Sequence, residues 1–256
     1  MVSNQIQYPI KVFIYGLTGR MGQEISALVS QMPEFELVGG SSLSKPCPLA
    51  PCDVVLDFSH PGTLKKNLEE VVTSGTAILV GTTGFTEEEV DLCKDASKKI
   101  QVLYAPNTSL GITVLKNLVM KAAAQLDQSY DIEIFETHHR EKIDAPSGTA
   151  LKLGEAAKEG RVSWGATGIS VNLPLDRQGK RPVASIGYAV HRGGGISGDH
   201  AVRFIGDEEV IELSHRSLSR KLFARGALTA AKWLAEQAKD KPGFYGMDDI
   251  LRPEDK

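Results

Sequence analysis

The densest set of reactive side chains is one run, Glu136-Thr137-His138-His139-Arg140-Glu141-Lys142-Ile143-Asp144-Ala145-Pro146-Ser147-Gly148-Thr149-Ala150. A histidine titrates near neutral pH and can hand over the proton that reduction of a C=N or C=C bond needs after hydride arrives. His138, His139, Arg140 and Lys142 gather up to four cationic groups in a short span, a concentration that an anionic ligand would match. Ser147 or Thr149 can cap a helix starting here, whose first N–H groups and positive dipole end would face a carboxylate. The plain alternative is a polar surface loop. The other histidines, His60, His191, His200 and His215, are scattered, so the run lacks the further ligands of a zinc site and no metal is expected. Ser147 is not in a GxSxG elbow, which argues against a serine hydrolase.

A second chemical signal is Gly16-Leu17-Thr18-Gly19-Arg20-Met21-Gly22, spaced GxxGxxG. Glycines let a backbone turn sharply and approach a pyrophosphate, whose charge meets the free N–H groups of the next helix. Three glycines can also be only a turn. Their place between a first strand and a first helix favours a dinucleotide. Gly81-Thr82-Thr83-Gly84 and Ala105-Pro106-Asn107-Thr108 follow later strands. In an open parallel sheet both loops should reach the same crevice, as contacts for the nicotinamide end, unless Gly and Thr merely build turns there. NAD readers commonly carry an acidic residue about 20 residues past the glycine turn. Here Gly39 to Lys45 offers hydroxyls and one cation, with Arg20 nearby and no carboxylate, so NADPH should bind at least as well as NADH.

The elements that must carry these groups follow from periodicity. The run at 10–15 is short, apolar and β-branched, as a buried strand is, and 36–40, 54–58, 77–81 and 102–106 read as further strands. Helical stretches at 21–31, 63–74 and 86–99 alternate with them, which predicts an α/β unit built on a parallel sheet. From about residue 110 the rhythm changes: a helix over 112–126, a strand over 131–136, a helix over 149–158, then strands at 169–173, 184–190, 201–206 and 209–215. Consecutive strands predict an antiparallel or mixed sheet with one covered face. An Ala-rich helix over 219–237 should pack back on the first domain. The expected division is 1–109 with 219–256 as the dinucleotide domain and 110–218 as the second.

Composition bounds the function. The 256 residues have a net charge of −3 and 41% hydrophobic residues, those of a globular chain. No Lys/Arg-rich tract argues for nucleic acid, and no apolar run approaches the roughly 20 residues that cross a bilayer. The opening residues have no signal-peptide pattern, so a cytoplasmic protein is expected. Cys47, Cys52 and Cys93 are read as reduced, with the first two in a surface loop rather than a zinc clip.

With HHRxKxDAPSGTA intact at 138–150, the run resembles the signature of the 4-hydroxy-tetrahydrodipicolinate (dihydrodipicolinate) reductase family of bacterial and plant lysine biosynthesis. Supporting matches are GRMG at 19–22, DFSHP at 57–61, VGTTGF at 80–85, NTSLG at 107–111, the Arg192 to Asp199 turn, SLSRKLFARGA at 217–227 and the closing 243–251. The resemblance implies a Rossmann-like nucleotide domain hinged to an α+β substrate domain whose mixed sheet assembles a homotetramer. It implies reduction of a small cyclic dicarboxylate by NADH or NADPH, in the cytoplasm or, in a plant, the plastid, although no transit peptide is visible. By that likeness His138 is the proton donor and Lys142 the cation for developing charge. His139, Gly148 and Thr149 hold a substrate carboxylate, with Ser147 adjacent. Gly16, Thr18, Gly19, Arg20, Met21, Gly22, Gly81, Thr82, Thr83, Ala105, Pro106, Asn107 and Thr108 are cofactor contacts. Two rivals stay open: another NADP-dependent imine or aldehyde reductase, and a dinucleotide sensor without catalysis. The short 41–53 connection and the missing acidic or arginine residue after the second strand depart from the family pattern.

Overall fold

The computed structural model describes residues 8–163, 165–171, 179–236, 238 and 241–251. In chain order the elements are β1 (Ile10–Tyr15), α1 (Arg20–Val29), β2 (Phe35–Ser41), β3 (Val54–Asp57), α2 (Leu64–Ser74), β4 (Ala77–Val80), α3 (Glu87–Ala96) and β5 (Gln101–Tyr104). Then come α4 (Leu110–Gln125), β6 (Asp131–His138), α5 (Gly148–Ser163), β7 (Ile186–Arg192), β8 (Asp199–Ile205), β9 (Val210–Arg216), α6 (Lys221–Glu236) and β10 (Gly243–Tyr245). They form two compact units, Met1–Leu110 with Lys221–Lys256, and Gly111–Arg220.

The first unit is a six-stranded, wholly parallel sheet in the order β10-β5-β4-β3-β1-β2. Its central strands β3 and β4 expose nothing: their residues are apolar except Asp57, whose carboxylate is hydrogen-bonded where it is buried. Ile25 and Leu28 of α1 and Ala227 and Leu234 of α6 cover one face, Leu68 of α2 and Cys93 of α3 the other. Local chemistry sets the helix ends. Thr86 and Glu89 make a capping box at the start of α3, and Gly75 closes α2 with a positive φ of 69°. From β1 the chain goes one way to β2 and the other way to β3, so the carboxyl ends of β1 and β3 flank the switch point where an open α/β sheet binds ligands.

The second unit has a four-stranded sheet in the order β7-β6-β8-β9, with β6 and β7 parallel and the other pairs antiparallel. Strict alternation on β6 buries Ile132, Ile134, Glu136 and His138 toward α4 and α5. The opposite face carries Phe135, Ala189, Ala201 and Ile205, which no described helix of this unit covers.

The expected order of elements through residue 158 is present, with ends moved by a few residues. Three differences have physical causes. The strand expected at 169–173 is, in its described part, a single bridge from Ser170 to Ser185; Gly165 and Gly168 have positive φ, and Ile169 and Val171 pack on the core instead. Residues 172 and 173 lie outside the described residues, as does Gln237 at the end of the expected last helix. Helix α5 runs five residues past its expected end to Ser163, because Gly160 lets it press on the α4 backbone at Met120. Strand β10, three residues of GFY, is too short to show a period in sequence and pairs with β5.

Candidate active site

In the first unit the glycine turn lies where the alternation predicts, between β1 and α1. A Cβ on Gly16 would strike the Phe58 carbonyl, one on Gly22 the Gly16 carbonyl, and one on Gly81 the Phe58 ring. At Gly16 and Gly22 the close approach is to backbone and at Gly81 to a packed ring, so the glycines serve more than a bend. Helix α1 has Gly19 at its N-cap with no side-chain cap and no acid in its first turn, leaving its N–H groups available to a phosphate. Beside the turn opens a cleft of about 360 Å³ lined by Thr18, Ser42, Ser44, His60 and Lys66 among others. Among the described residues no carboxylate lines it, and Lys66 of α2 brings an ammonium to its wall. These residues fit the adenosine and pyrophosphate parts of a dinucleotide.

The other expected contacts divide. Thr83 and Asn107 retain some exposure. Thr82 is buried, and its hydroxyl donates to Asp57 Oδ1 at 3.1 Å while accepting from the Ser59 amide at 3.0 Å. Thr108 donates to the Phe223 carbonyl at 2.7 Å, tying the end of β5 to α6. Sequence reasoning missed what holds these loops. Asp57 is fully buried and accepts from Ser59 Oγ at 2.5 Å and Asn67 Nδ2 at 2.9 Å, joining the ends of β3 and β4 to α2.

In the second unit the polar run forms a strand-to-helix corner. Glu136 and His138 share the inward face of β6 because side chains alternate. His138 Nδ1 and Glu136 Oε2 approach to 2.6 Å, and neither atom has another partner among the described residues. Glu136 Oε1 accepts the Ser147 amide at 2.9 Å and Arg192 Nη2 at 3.1 Å. Burial pushes the Glu136 carboxyl up, but the bonds from His138, Ser147 and Arg192 outweigh it and hold the group at about 2. The ionised carboxylate fixes a proton on Nδ1 of His138 and leaves Nε2 as the nitrogen that can carry an exchangeable one.

Ser147 Oγ accepts the Ala150 amide at 3.2 Å, so Ser147 caps α5 as its residue type suggests. Ser147 itself is buried, and its hydroxyl also lies 3.2 Å from His200 Nε2. Gly148 is exposed, and a Cβ there would meet nothing within 4 Å, so the space over the helix start is open. Lys142 pairs with Asp144 at 2.7 Å, and His139 Nε2 lies 3.5 Å from Arg220 Nη2. The Gly193 amide donates to the His138 carbonyl at 2.9 Å, and the Arg140 backbone amide to the Gly194 carbonyl at 3.2 Å, so the glycine run closes onto the corner.

The structure therefore brings together His138, His139, Lys142, Ser147, Gly148 and Thr149, and adds Glu136, Arg192, His200 and Arg220. The alternation of β6 already placed Glu136 beside His138, a signal present in sequence; the other three arrive from β7, β8 and the segment after β9. Glu136, His138 and His200 bring ligand atoms within 4.8 Å of one another. Arg192 already balances the Glu136 charge and His138 is paired with it, so a divalent ion would have to break that pair.

The family model for the dihydrodipicolinate reductase N-terminus matches residues 10–108, and that for the C-terminus matches 111–251. The 4-hydroxy-tetrahydrodipicolinate reductase of Zymomonas mobilis is 44% identical, over 94% of this chain and 97% of that protein. The one from Caulobacter vibrioides is 41% identical over 95% and 97%. A dipicolinate-bound dihydrodipicolinate reductase from Paenisporosarcina superposes with a TM-score of 0.73 at 28% identity, over 94% of this chain and 99% of that one.

Proposed function

The chain belongs to the dihydrodipicolinate reductase family, and from that premise and the chemistry of the corner we infer that it reduces 4-hydroxy-tetrahydrodipicolinate to tetrahydrodipicolinate in lysine and diaminopimelate biosynthesis. The observation that carries the inference is a buried carboxylate–imidazole pair, Glu136 and His138, beside the open, capped start of α5. A pyridine nucleotide, when bound, supplies the hydride.

The chain's own residues do the rest. A ring with two carboxylates needs cations and helix-start amides. His139 and the α5 start at Gly148 and Thr149 hold one carboxylate; Ser147 shapes that start from beneath. His138 donates its Nε2 proton to the ring, and Glu136 steadies the imidazole through Nδ1 throughout. Lys142 offers its ammonium to charge that builds on the ring, and Asp144 holds that ammonium in the corner meanwhile. The substrate hydroxyl leaves as water, so one hydride and one proton balance the reaction.

For the cofactor, Gly16, Gly19 and Gly22 with the start of α1 cradle the pyrophosphate, and the loops at 81–83 and 105–108 receive the nicotinamide. NADPH is favoured because the cleft beside the turn contains Lys66 and serine hydroxyls and, among the described residues, no carboxylate. A homotetramer is proposed through the uncovered face of the four-stranded sheet. The compartment is the cytoplasm, which three free thiols suit; burial pushes Cys52 and Cys93 up to about 12, leaving them protonated and inert.

The test couples purified synthase, pyruvate and aspartate semialdehyde to this protein and follows nicotinamide absorbance with each cofactor. Oxidation that depends on both proteins supports the function. No oxidation with synthase product, but oxidation with another carbonyl compound, would overturn it.

A further inference from the structure

His200 has no part in the proton and charge steps above, yet it touches both halves of the corner. It lies on β8 directly opposite Glu136 and is 5% exposed. Its Nε2 is 3.2 Å from Ser147 Oγ, and its ring meets the His138 ring edge-on, with centroids 5.1 Å apart and planes at 75°. Just before it, a Cβ on Gly198 would come within 3.0 Å of His138 Nε2 and 3.5 Å of His200 Cε1, so the backbone leaves both rings just enough room. His200 Nδ1 is buried with no partner among the described residues. A ring kept only for packing would do better without that unpaired nitrogen.

We propose that His200 is a positioning residue for the reduction, holding the Ser147 cap of α5 and the His138 ring in one fixed relation; the proposal rests on the function inferred above. The cap sets where the α5 amides meet a carboxylate, while the edge contact limits rotation of the proton donor. One side chain thus couples substrate grip to proton delivery. Burial, then the nearby His138, push the His200 ring down to about 4; Glu136 opposes this, while His215 and Lys142 add to it. The ring is uncharged at neutral pH and meets Ser147 without placing another cation behind the donor.

The experiment compares His200→Gln, whose amide can reach the Nε2 position, with His200→Phe, which keeps the ring alone, each with and without Ser147→Ala. The probe is pyridine-2,6-dicarboxylate, titrated alongside NADPH, with kcat and KM measured in the coupled assay. Losing one buried hydrogen bond predicts that His200→Phe weakens dicarboxylate binding and raises substrate KM about tenfold. NADPH affinity should not move, and His200→Gln should restore binding to within about threefold of the parent. With Ser147→Ala already present, His200→Phe should cost no further dicarboxylate affinity, because both act through one contact. Should His200→Phe fail to fold, His200→Asn, whose amide reaches only the Nδ1 position, takes its place with the same expected loss. Unchanged dicarboxylate affinity in the Phe variant, losses that add in the double variant, or equal weakening of NADPH would each overturn the proposal. Dicarboxylate affinities in the expected order, without any turnover of synthase product by the parent, would sink the inferred reaction and leave the positioning role standing.

Discussion

The proton donor proposed here needs one nitrogen fixed and the other free, and Glu136, 2.6 Å from His138 Nδ1, meets that need. Replacing His138 with Ala should lower kcat by about two to four orders of magnitude, the usual worth of a general acid, with NADPH affinity unchanged in a fluorescence titration. Lys142→Ala should behave similarly; full turnover in either variant removes that residue from the mechanism. Lys66 makes a separate claim, since it is a cation lining the nucleotide cleft. Lys66→Met should weaken NADPH about tenfold, as loss of one charge-assisted phosphate contact does, while leaving NADH within about twofold. Equal effects on both cofactors would show that Lys66 does not read the 2′-phosphate.

Elements decide how these side chains are presented. The glycine turn works because its carbonyls and the end of β3 pack where Cβ atoms would otherwise stand. Gly22→Ala should therefore raise the nicotinamide Kd more than about tenfold by pushing the turn open, while pyridine-2,6-dicarboxylate binding stays as it was. In the second unit, β6 and β8 bury two groups whose titration opposes folding in acid. Glu136 falls from 4.5 to about 2, so its unfolded form takes up protons first and the stability it gives above pH 4.5 is lost as pH drops toward 2. His200 falls from 6.5 to about 4, so the unfolded chain also binds the extra proton and stability declines as pH drops from 6.5 to 4. Melting temperatures should thus fall steadily below pH 6.5, and His200→Phe should flatten the curve between 6.5 and 4. A parent curve already flat over that window would contradict the buried, uncharged ring.

For the whole molecule, the unanswered demand is the outer face of the four-stranded sheet, where Phe135 lies under Arg203 at 4.4 Å and Val210 stays 55% exposed. A second copy of the chain is the partner proposed for it. Light scattering on a sizing column should give four times the 27.7 kDa chain mass, and Phe135→Asp should shift the protein to smaller species. A parent that elutes as a monomer at micromolar concentration would refute this arrangement. The cation-π contact and the Arg203–Glu212 pair at 2.6 Å show that part of the face is polar, as an interface reached after the subunits fold can be.

Much of this was legible in the residues alone. Apolar runs such as 77–80 become buried strands because nothing polar in them needs water, and in 10–15 the one charged residue, Lys11, is the one left exposed; glycine spacing names the turn because only glycine tolerates such close approach. The 138–150 run carries its own chemistry, so His138 and Lys142 stand out as candidates and Ser147 or Thr149 as the cap without a fold, and the structure makes Ser147 the cap. What tertiary structure decided is which distant groups complete them. Asp57 reaches Thr82 across 25 positions and Ser147 reaches His200 across 53, and such pairings depend on strand order and register. A local pattern fixes what a segment can be, because its energetics lie within a few residues; the partner of a buried polar atom is settled only by packing, which sequence spacing does not encode.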